Sequence, residues 1–420
     1  GDYPDPLISF APSSIPGDTT ISFWFTVYAS PELPAGAYTG MIEVNGEGMA
    51  PRELWVDVTV LAFELPRTPR LATDFGYNGE AAYRAACVRG YTRPRGDYDA
   101  QVLDSALAHR VTVRELVQIP PESPFYERDL ANFEQRLPKL MEQGASCFPV
   151  PASLLSTPDQ LAAANAMVTK NSLGDRVFCY LADGPPRPSW PRLLERMQQW
   201  KDTAPTIPIM VSSYGQEPFI PSVLDIWDVH LQVLDTANYQ TVRRAIENGK
   251  PVWCYIDHGP PRPYGNFFTD LSGMEHRILF WQAWGLGLTG LQYWNISALN
   301  DGEDPWNGHL DVTPANGNGL LIYPGSQGPV DSIRWEIIRD GLEDVDYLSL
   351  LRDRLERLQA TAGNDELKAA AAAALDMSVV APSLVRFARE PGPLLERRHA
   401  VGRLIEKIDR VIPVAGPQGQ

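Results

Sequence analysis

The sequence predicts an α/β protein, a (β/α)8 TIM barrel with an N-terminal antiparallel β-sandwich domain and a C-terminal helical extension. Three patterns in the 420 residues support this prediction. Eight short apolar runs lie between residues 71 and 296, and nearly all are followed by a stretch with helical periodicity. Before residue 66, apolar and polar residues alternate, as in half-buried strands. After residue 340, apolar residues recur every three to four positions, which indicates helices.

The predicted sandwich covers residues 1–66. In 21–28, Ile, Phe, Phe and Val alternate with Ser, Trp, Thr and Tyr, and 54–60 places Leu and three Val on one side. Turn-forming residues at 34–36 and 45–48 separate these segments. The pattern predicts strands with one packed face and one solvent-facing face, as in an antiparallel sandwich.

The predicted barrel covers residues 70–340 and follows a linker, ELPRTP, at 64–69. Each apolar run predicts a parallel strand that is buried on both faces. Alternation of strand and helix, repeated eight times, is typical of a (β/α)8 barrel. The predicted strands are 71–78, 110–117, 147–152, 176–183, 207–213, 226–231, 251–257 and 290–296. The predicted helices include 98–109, 129–143, 157–170, 190–202, 238–248 and 273–284.

The region after the barrel is predicted to be helical over 341–412. Helical periodicity runs through 332–359, an alanine-rich helix is predicted at 366–374, and an amphipathic helix at 394–412. These helices are expected to pack against the barrel. The segment 413–420 is predicted to be a disordered tail.

Charge and composition argue against a nucleic-acid partner, a membrane span and a zinc site. The formal net charge is −16 and the sequence pI is about 4.9. Such a field repels phosphate backbones, so we expect no nucleic-acid partner. No run of 18 or more apolar residues occurs, so no membrane span is predicted. The four cysteines match no zinc-ligand spacing, three lie in predicted strands and are expected to be buried thiols, and no cofactor or metal is predicted.

The downstream ends of the predicted strands indicate the chemistry. In a (β/α)8 barrel the active site lies at the C-terminal ends of the strands. Carboxylates, amides and aromatic rings are frequent there, and this set suits a sugar, whose C–H faces pack on aromatic rings. We therefore expect a glycan substrate. The catalytic candidates at these ends are Glu115, Asp183 and Asp257, and the substrate-binding candidates are Tyr77, Tyr214, Gln232, Tyr255, His258, Trp294 and Asn295.

Two loops add candidates. The segment 297–325 is rich in Asn, Gly and Asp, and long irregular segments in compact domains are usually functional. It contributes Trp306 to the substrate-binding set, and Glu217, after the predicted strand 207–213, is a further catalytic carboxylate. Core packing is the alternative role for Trp294, and capping of the following turn is the alternative for Asp183.

Ten short segments, in order along the chain, resemble the domain-of-unknown-function 4091 proteins, which include glycoside hydrolase family 123. Among them are YLADGPP at 180–186 and QYWN at 292–295. The full set is 2–7, 34–40, 63–66, 180–186, 249–255, 263–268, 280–284, 292–295, 318–325 and 332–347. Each segment alone is a weak signal, and their common order makes the resemblance specific.

The resemblance implies a retaining β-N-acetylgalactosaminidase that uses substrate-assisted catalysis. In that family the 2-acetamido oxygen of the sugar attacks the anomeric carbon, an Asp holds the acetamido nitrogen, and the adjacent Glu protonates the leaving oxygen. This departs from the usual pair of enzyme carboxylates. The Asp–Glu pair corresponds to Asp183 and Gly184 here. The resemblance and the acidic composition favour a secreted or periplasmic protein.

Gly184 removes the family's general acid, because glycine has no side chain that could donate a proton. General acid catalysis is worth about 10²–10⁴-fold in rate, so three explanations stay open. Gly184 is an inactivating substitution, or the acid lies elsewhere, at Glu115, Glu217 or Asp257, or the protein binds carbohydrate without cleaving it. If the substrate lacks a 2-acetamido group, Asp183 is expected to act as acid or nucleophile with a second carboxylate.

Overall fold

The computed structural model describes residues 4–9, 18, 20–114, 125–215, 222–235, 239–300, 303–306 and 315–413. Its strands are β1 Gly36–Val44, β2 Arg52–Val60, β3 Ala72–Phe75, β4 Phe148–Pro149, β5 Val177–Asp183, β6 Ile209–Ser213, β7 Ile226–His230, β8 Val252–Ile256, β9 Gly290–Tyr293, β10 Ile322–Pro324 and β11 Pro329–Asp331. Its α-helices are α1 Gly79–Val88, α2 Arg95–Ala108, α3 Tyr126–Glu142, α4 Pro158–Lys170, α5 Trp190–Thr203, α6 Tyr239–Glu247, α7 Gly273–Leu286, α8 Ile333–Gln359, α9 Asp365–Ala374 and α10 Pro391–Val411.

The chain forms two compact units. The barrel unit comprises Gly1–Ile8, Arg67–Asp346 and Met377–Pro391, and the second unit comprises Ser9–Pro66, Tyr347–Asp376 and Gly392–Gln420. The predicted division at 1–66, 70–340 and 341–412 stays a prediction. The predicted tail 413–420 lies, except for Pro413, outside the described residues.

The barrel unit is built on seven parallel strands in one sheet, in the order β3-β9-β8-β7-β6-β5-β4, surrounded by helices. The sheet curls into a nearly closed barrel, as the (β/α)8 pattern predicted. Register aligns the functional ends of the strands: Asp74 lies opposite Gln292, and Tyr255 lies between Gln292 and His230. On the other side, Ser212 pairs with both Asp183 and Asp228.

The second predicted strand, 110–117, does not form as a strand in the described part of the chain. Val113 alone makes a bridge, with Phe75 of β3, and 115–117 lie outside the described residues. Arg110 adopts a φ of 64°, and the Thr112 amide donates to the side-chain hydroxyl of Thr73 in β3 at 2.8 Å rather than to a backbone carbonyl. The chain therefore fills the eighth position of the barrel with irregular backbone.

Hydroxyl groups close the barrel on the far side of this segment. The Ser146 amide donates to Thr112 Oγ1 at 2.8 Å, and the Thr73 amide donates to Ser146 Oγ at 3.1 Å. All three residues are buried. Side chains thus satisfy backbone groups that a regular eighth strand would have paired.

Side chains cap the first turns of helices α4 and α7. Thr157 and Gln160 form a capping box at α4, and Ser272 and Glu275 form another at α7. Gly287 ends α7 with a φ of 75°, a left-handed conformation that glycine adopts without a steric cost. Helices α2 to α7 all begin within three residues of their predicted starts.

The predicted strand 21–28 is not found: these residues are described, and none of them is in a strand. Both alternating sets are exposed, for example Phe25 at 61% and Tyr28 at 81%. Alternation alone does not make a strand, because the backbone also needs a neighbour with which to pair. β1 and β2 pair with each other in an antiparallel hairpin. The complete sandwich, and the separate helical extension, stay predictions.

The second unit has its own packing. The Arg354 guanidinium lies 3.2 Å from the Asp409 carboxylate, which joins α8 to α10. The ring of Phe63 packs edge-on against Tyr347, with the centroids 5.2 Å apart. Helices α8, α9 and α10 occupy the regions where helical periodicity was predicted.

The charged residues of 332–347 form buried ion pairs in the barrel unit. Arg334 is 2% exposed and lies 2.7 Å from Asp5, which also accepts a hydrogen bond from the Tyr323 hydroxyl at 2.8 Å. Arg277 pairs with Asp344 at 2.6 Å. These charges fasten α8 and the N-terminal segment within the barrel unit, and their role is structural.

Two further predictions can be compared with the described residues. Cys147, Cys179 and Cys254 are buried free thiols, as expected, and Cys87 is exposed. None of the helices in the described ranges is both long enough and apolar enough to cross a membrane.

Candidate active site

The lower interior of the barrel, near the N-terminal ends of the strands, is apolar. Cys147, Phe178, Met210 and Trp253 form one buried cluster there. Gly290 makes room for the indole, because a Cβ at this position would lie 2.2 Å from the Trp253 ring. A cavity of about 970 Å³ opens below this cluster, at the N-terminal end of the barrel. It lies at the opposite end from the ionisable residues described next, so we place no chemistry in it.

Above the apolar cluster lies a polar layer, which begins with a buried ion pair. Arg114 Nε and its terminal nitrogen lie 3.0 and 2.9 Å from Asp74 Oδ2. Gln292 Nε2 donates to the same oxygen at 2.9 Å. The Arg114 guanidinium also lies over the Tyr180 ring, 4.4 Å from its centroid. Asp74 and Gln292 are fully buried, so this part of the layer is rigidly connected.

The other half of the polar layer centres on Ser212. Its Oγ lies 2.5 Å from Asp228 Oδ2, 2.7 Å from the Tyr180 hydroxyl and 3.0 Å from Gln292 Oε1. Burial raises the pKa of Asp228 to about 8, even though the hydrogen bond with Ser212 and the charge of Arg114 oppose this rise. The second oxygen of Asp228 and that of Asp74 are buried without a hydrogen-bond partner among the described residues.

At the mouth of the barrel, Asp257 is held by three donors. Its Oδ2 accepts from the Tyr214 hydroxyl at 2.5 Å, and its Oδ1 lies 3.1 Å from His230 Nε2 and 3.0 Å from the Gly259 amide. Burial alone would raise the pKa of Asp257, but the hydrogen bonds from His230, Tyr214 and Gly259 hold it below its ordinary value. Asp257 is therefore ionised at neutral pH.

Tyr214 joins the two sides of the mouth. Its ring stacks on His230 with the centroids 5.0 Å apart, and it is 42% exposed. Burial of the hydroxyl and its hydrogen bond to Asp257 raise the pKa of Tyr214. Tyr214 therefore keeps its proton and remains a donor to Asp257.

Asp183 ends β5 and is exposed at the same mouth. Partial desolvation raises the pKa of its carboxyl. The hydrogen-bonding contact with the Tyr180 hydroxyl and the charge of Arg114 oppose the rise, and the charge of Asp257 adds to it. The two aspartates thus differ: their surroundings raise the pKa of Asp183 and lower the pKa of Asp257.

Gly184 follows Asp183 with a φ of 50°, in the region that disfavours residues with a Cβ. A Cβ built at this glycine would lie 2.7 Å from Tyr214 Cε2 and 3.1 Å from Cδ2. The Tyr214 ring therefore occupies the space into which a side chain at position 184 would project. Glycine here fits both the backbone conformation and the packing.

Besides Tyr214, three of the predicted substrate-binding residues line or adjoin the mouth. Tyr255 is 5% exposed, and its ring centroid lies 6.2 Å from that of Tyr214. His258 is exposed and meets the half-buried Trp294 edge-on, with centroids 4.4 Å apart. Trp294 Nε1 donates to Asn318 Oδ1 at 2.7 Å. Trp294 is thus anchored in place with part of its surface still accessible.

The remaining predicted residues make local contacts. Tyr77 is buried, and its hydroxyl donates to Asp99 of α2 at 2.6 Å. Asn295 accepts from the Ser297 amide at 2.8 Å, and Trp306 donates to the Pro324 carbonyl at 2.9 Å. Gln232 is exposed in the 3₁₀ turn after β7. Glu115 and Glu217 lie outside the described residues.

Sequence reasoning missed most of the polar layer and one residue of the mouth. The missed residues are Arg114, Tyr180, Asp228, His230 and Gln292. A signal was present in β7, where Asp228 and His230 alternate within IWDVH and so share one face of an otherwise apolar strand. Two ionisable residues on one face of a buried strand need partners, and the barrel interior supplies them.

Of the described residues, His109, Asp331 and Glu336 come closest to a metal-binding group, with ligand atoms within 4.8 Å of one another. Both nitrogens of the His109 ring are already engaged, by the Ser105 carbonyl at 2.8 Å and by Glu336 at 3.1 Å. Asp331 accepts from the Ser105 hydroxyl at 2.6 Å. A metal would have to displace these bonds, so hydrogen bonding accounts for the group.

Comparison with known proteins gives a family match. Residues 158–351 match the model for glycoside hydrolase 123, catalytic domain. The matched region contains Asp183, Tyr214, Asp228, His230 and Asp257. This region of the chain is therefore similar to a glycoside hydrolase catalytic domain. No curated protein matches the sequence.

One of the similar solved structures supports the fold. One match is a family 123 glycoside hydrolase from Clostridium perfringens, described as an enzyme of glycolipid glycan hydrolysis, with a TM-score of 0.61 and 12% identity over 90% of this chain and 76% of that one. Another is a family 39 glycoside hydrolase from Bacteroides cellulosilyticus WH2, with a TM-score of 0.37 and 13% identity over 74% of this chain and 71% of that one. At such identities the first likeness establishes a shared fold.

Proposed function

We propose that this protein is a glycosidase whose active site lies at the C-terminal mouth of the barrel, with Asp183 as proton donor and Asp257 as the ionised carboxylate. The observation that carries the proposal is the pair itself. The two carboxyl groups follow β5 and β8, Tyr214 contacts both ends, and the two pKa values are shifted in opposite directions. Most glycosidases need one protonated and one ionised carboxyl group in this way.

In the proposed reaction, Asp183 gives its proton to the glycosidic oxygen while the bond from that oxygen to the anomeric carbon breaks. The positive charge that develops on the sugar is stabilised by the negative charge of Asp257. His230 and the Gly259 amide fix the orientation of that carboxylate through Oδ1. The new bond to the anomeric carbon comes from Asp257, from a water molecule that gives its proton to Asp257, or from the substrate's own 2-acetamido oxygen.

For the substrate we propose a β-linked 2-acetamido sugar, with a β-N-acetylgalactosaminide as the first to test. The match to the family 123 model and the glycolipid glycan named for the C. perfringens enzyme support this choice. Trp294 offers an aromatic surface beside the mouth, suited to the apolar face of a pyranose. Tyr255 and His258 complete the wall.

Asp257 is a poor replacement for the missing family acid. A proton donor works best when its pKa lies near the operating pH, whereas three donors lower the pKa of Asp257. Asp183 has the opposite shift. Asp183 is therefore the better donor of the two.

The test measures hydrolysis of an aryl β-N-acetylgalactosaminide and the matching aryl β-galactoside, alongside a panel of natural glycans. Asp183→Asn and Asp257→Asn, purified identically, control for contaminating glycosidases. We expect turnover that Asp257→Asn reduces on every substrate and that Asp183→Asn reduces on the natural glycans, whose leaving groups need a proton. NMR of the first-formed anomer distinguishes retention from inversion. A requirement for the acetamido group identifies substrate assistance. Activity that survives in both variants would overturn the assignment.

The second candidate function is glycan binding without cleavage, and Gly184 is the observation that favours it. The family's acid position lacks a side chain, and Tyr214 fills the adjacent space. Calorimetry with the same glycans separates the two functions. Saturable binding that Trp294→Ala weakens, with no product at high protein concentration, would support a binding protein.

A further inference from the structure

Asp228 and Ser212 lie beneath the proposed catalytic pair, and their hydrogen bonds can be counted. Ser212 Oγ has three oxygen neighbours within 3.0 Å: Asp228 Oδ2, the Tyr180 hydroxyl and Gln292 Oε1. Each short oxygen–oxygen contact needs one hydrogen. Ser212 and Tyr180 supply one hydrogen each. Two hydrogens cannot satisfy three contacts.

Rotating the Gln292 amide does not provide the third hydrogen. Its Nε2 already donates to Asp74 Oδ2 at 2.9 Å, and that oxygen is ion-paired with Arg114. Exchanging the oxygen and nitrogen of Gln292 would set its carbonyl against the Asp74 carboxylate, two groups that only accept. The hydrogen bond to Asp74 therefore fixes the orientation of the Gln292 amide, with its oxygen towards Ser212.

We infer that Asp228 is a buried carboxylic acid that holds a proton and, by donating it to Ser212, is a positioning residue for the hydrogen-bond chain that reaches Asp183. With this proton every contact is satisfied. Asp228 donates to Ser212, Ser212 donates to Gln292, and Tyr180 donates to Ser212. The Tyr180 oxygen is then free to accept from a protonated Asp183.

The surroundings of Asp228 favour the neutral form. It is 0% exposed, and burial raises its pKa to about 8. The charged and titratable groups around it are Asp74 on β3, Arg114 on the following segment, Tyr180 and Asp183 on β5, and Cys254 on β8. Arg114 is the one cation in this set, and it is paired with Asp74. An ionised Asp228 would therefore face two other carboxylates, and among these groups it has no cation of its own.

The consequence for activity rests on the proposed function. When Asp183 gives up its proton, Tyr180 can turn its hydrogen from Ser212 to the new carboxylate. Loss of the Asp228 proton at alkaline pH would take the Ser212 hydrogen away from Gln292 and add a negative charge beneath Asp183. Asp228 would thus set an alkaline limit for the site without touching the substrate.

The test is independent of any substrate. The full chain, labelled with ¹³C at the aspartate carboxyl carbons, is titrated by NMR, and the resonances of Asp228 and Asp183 are identified by their absence from Asp228→Asn and Asp183→Asn. We expect the Asp228 resonance to titrate near pH 8. We also expect the Asp183 resonance to show a second, smaller inflection at the same pH, which Asp228→Asn abolishes. An Asp228 midpoint below about pH 5, near the ordinary value of the side chain, would overturn the inference, as would an Asp183 curve that Asp228→Asn leaves unchanged.

Stability against pH gives a second measurement. A pKa that is raised in the folded state means that the native protein binds the extra proton, so stability from Asp228 is greatest below about pH 4 and is lost as the pH rises to about 8. In this window the group increases the unfolding constant by up to about tenfold per pH unit. Asp228→Asn, which keeps a donor to Ser212, should fold and lose this slope. The matched control is Asp74→Asn, which should lose stability at every pH because Arg114 loses its ion pair.

These outcomes separate the two proposals. If Asp228 titrates near pH 8 and no glycan is cleaved, the proposed function fails and the inference stands. If glycans are cleaved and Asp228 titrates as an ordinary carboxylate, the proposed function stands and the inference about Asp228 fails. Failure of Asp228→Asn to fold would contradict the inference, because asparagine can donate the same hydrogen bond.

Discussion

The ends of β5 and β8 carry the same functional group in two different settings. Asp183 is exposed, and partial desolvation raises its pKa against the opposing charge of Arg114. Asp257 receives hydrogen bonds from Tyr214, His230 and the Gly259 amide, which lower its pKa. Equivalent places in the barrel therefore give the two carboxyl groups opposite pKa shifts. In the function we propose, this difference in surroundings makes one aspartate the proton donor and the other the charged group.

The largest expected effect follows removal of the charge at the end of β8. Asp257→Asn keeps the shape of the side chain but not the negative charge that stabilises the sugar cation. We expect kcat/KM on an aryl β-N-acetylgalactosaminide to fall by about 10³–10⁴-fold, the upper part of the range for loss of an acid–base group. The loss should be the same for good and poor leaving groups. A loss confined to poor leaving groups would give the role of proton donor to Asp257 instead.

Removal of the carboxyl at the end of β5 should have a smaller effect that depends on the substrate. Asp183→Asn cannot protonate the leaving oxygen, so kcat should fall by about 10²–10³-fold for natural glycans and alkyl glycosides. Aryl glycosides with acidic phenols leave without protonation and should be hydrolysed at close to the parent rate. Equal losses for both leaving groups would instead favour the family role, in which Asp183 orients the acetamido group.

Sequence reasoning found these two aspartates because the end of a barrel strand is a strong positional signal. It could not pair them with Tyr214 and His230, since those residues come from other strands, and strand register decides which side chains meet. Asp228 was missed because an apolar run was taken as evidence of a uniformly buried strand, although Asp228 is part of that run. Arg114 was missed for the same reason, because it lies within the predicted strand 110–117; in the structure it follows the bridge at Val113.

The fold was predicted more completely than the site. Strand–helix alternation depends on local periodicity, which the sequence contains, and seven of the eight predicted runs form strands of one sheet. The exception is 110–117. Its irregular backbone depends on the φ of Arg110 and on hydrogen bonds with the hydroxyl groups of Thr73 and Ser146, and these tertiary contacts cannot be read from local periodicity. The segment 21–28 alternates as a strand does but does not pair as one. Periodicity predicts which residues suit a strand, and pairing decides whether the strand forms.

The third prediction concerns the contact between the two ends, where Tyr214 packs beside Gly184. Gly184→Ala places a Cβ 2.7 Å from the Tyr214 ring at a φ of 50°. The matched control is Gly249→Ala, where φ is 76° but no atom lies within 4 Å of the new Cβ. Both variants incur about 1–2 kcal/mol for the left-handed backbone. We expect Gly184→Ala to lose a further ~1–3 kcal/mol of unfolding free energy from overpacking.

Denaturant unfolding of both variants measures this difference, and Tyr214→Ala combined with Gly184→Ala should abolish it. By the same reasoning, Gly184→Glu alone should not restore a family-type acid, because the Tyr214 ring blocks the side chain. Equal stability of the two alanine variants would mean that the Tyr214 ring moves away from a Cβ at position 184 at little cost in free energy. In that case we would expect Gly184→Glu to gain activity, and a large gain would show that a glutamate at position 184 can act as the general acid.

The smallest expected effect tests how Asp257 is kept ionised. His230→Asn removes a hydrogen bond to Asp257 Oδ1, so the pKa of Asp257 should rise towards its ordinary value. The ionised form is then lost at higher pH, and the acid limb of the kcat/KM profile should move upward by ~0.5–1 pH unit. Tyr214→Phe, which removes the donor to Oδ2, should move the limb in the same direction. The alkaline limb, which we assign to Asp183 or to the layer beneath it, should stay in place in His230→Asn. A shift of that limb instead would mean that His230 acts on Asp183, and the two ends of the mouth would then have to be treated as one coupled pair.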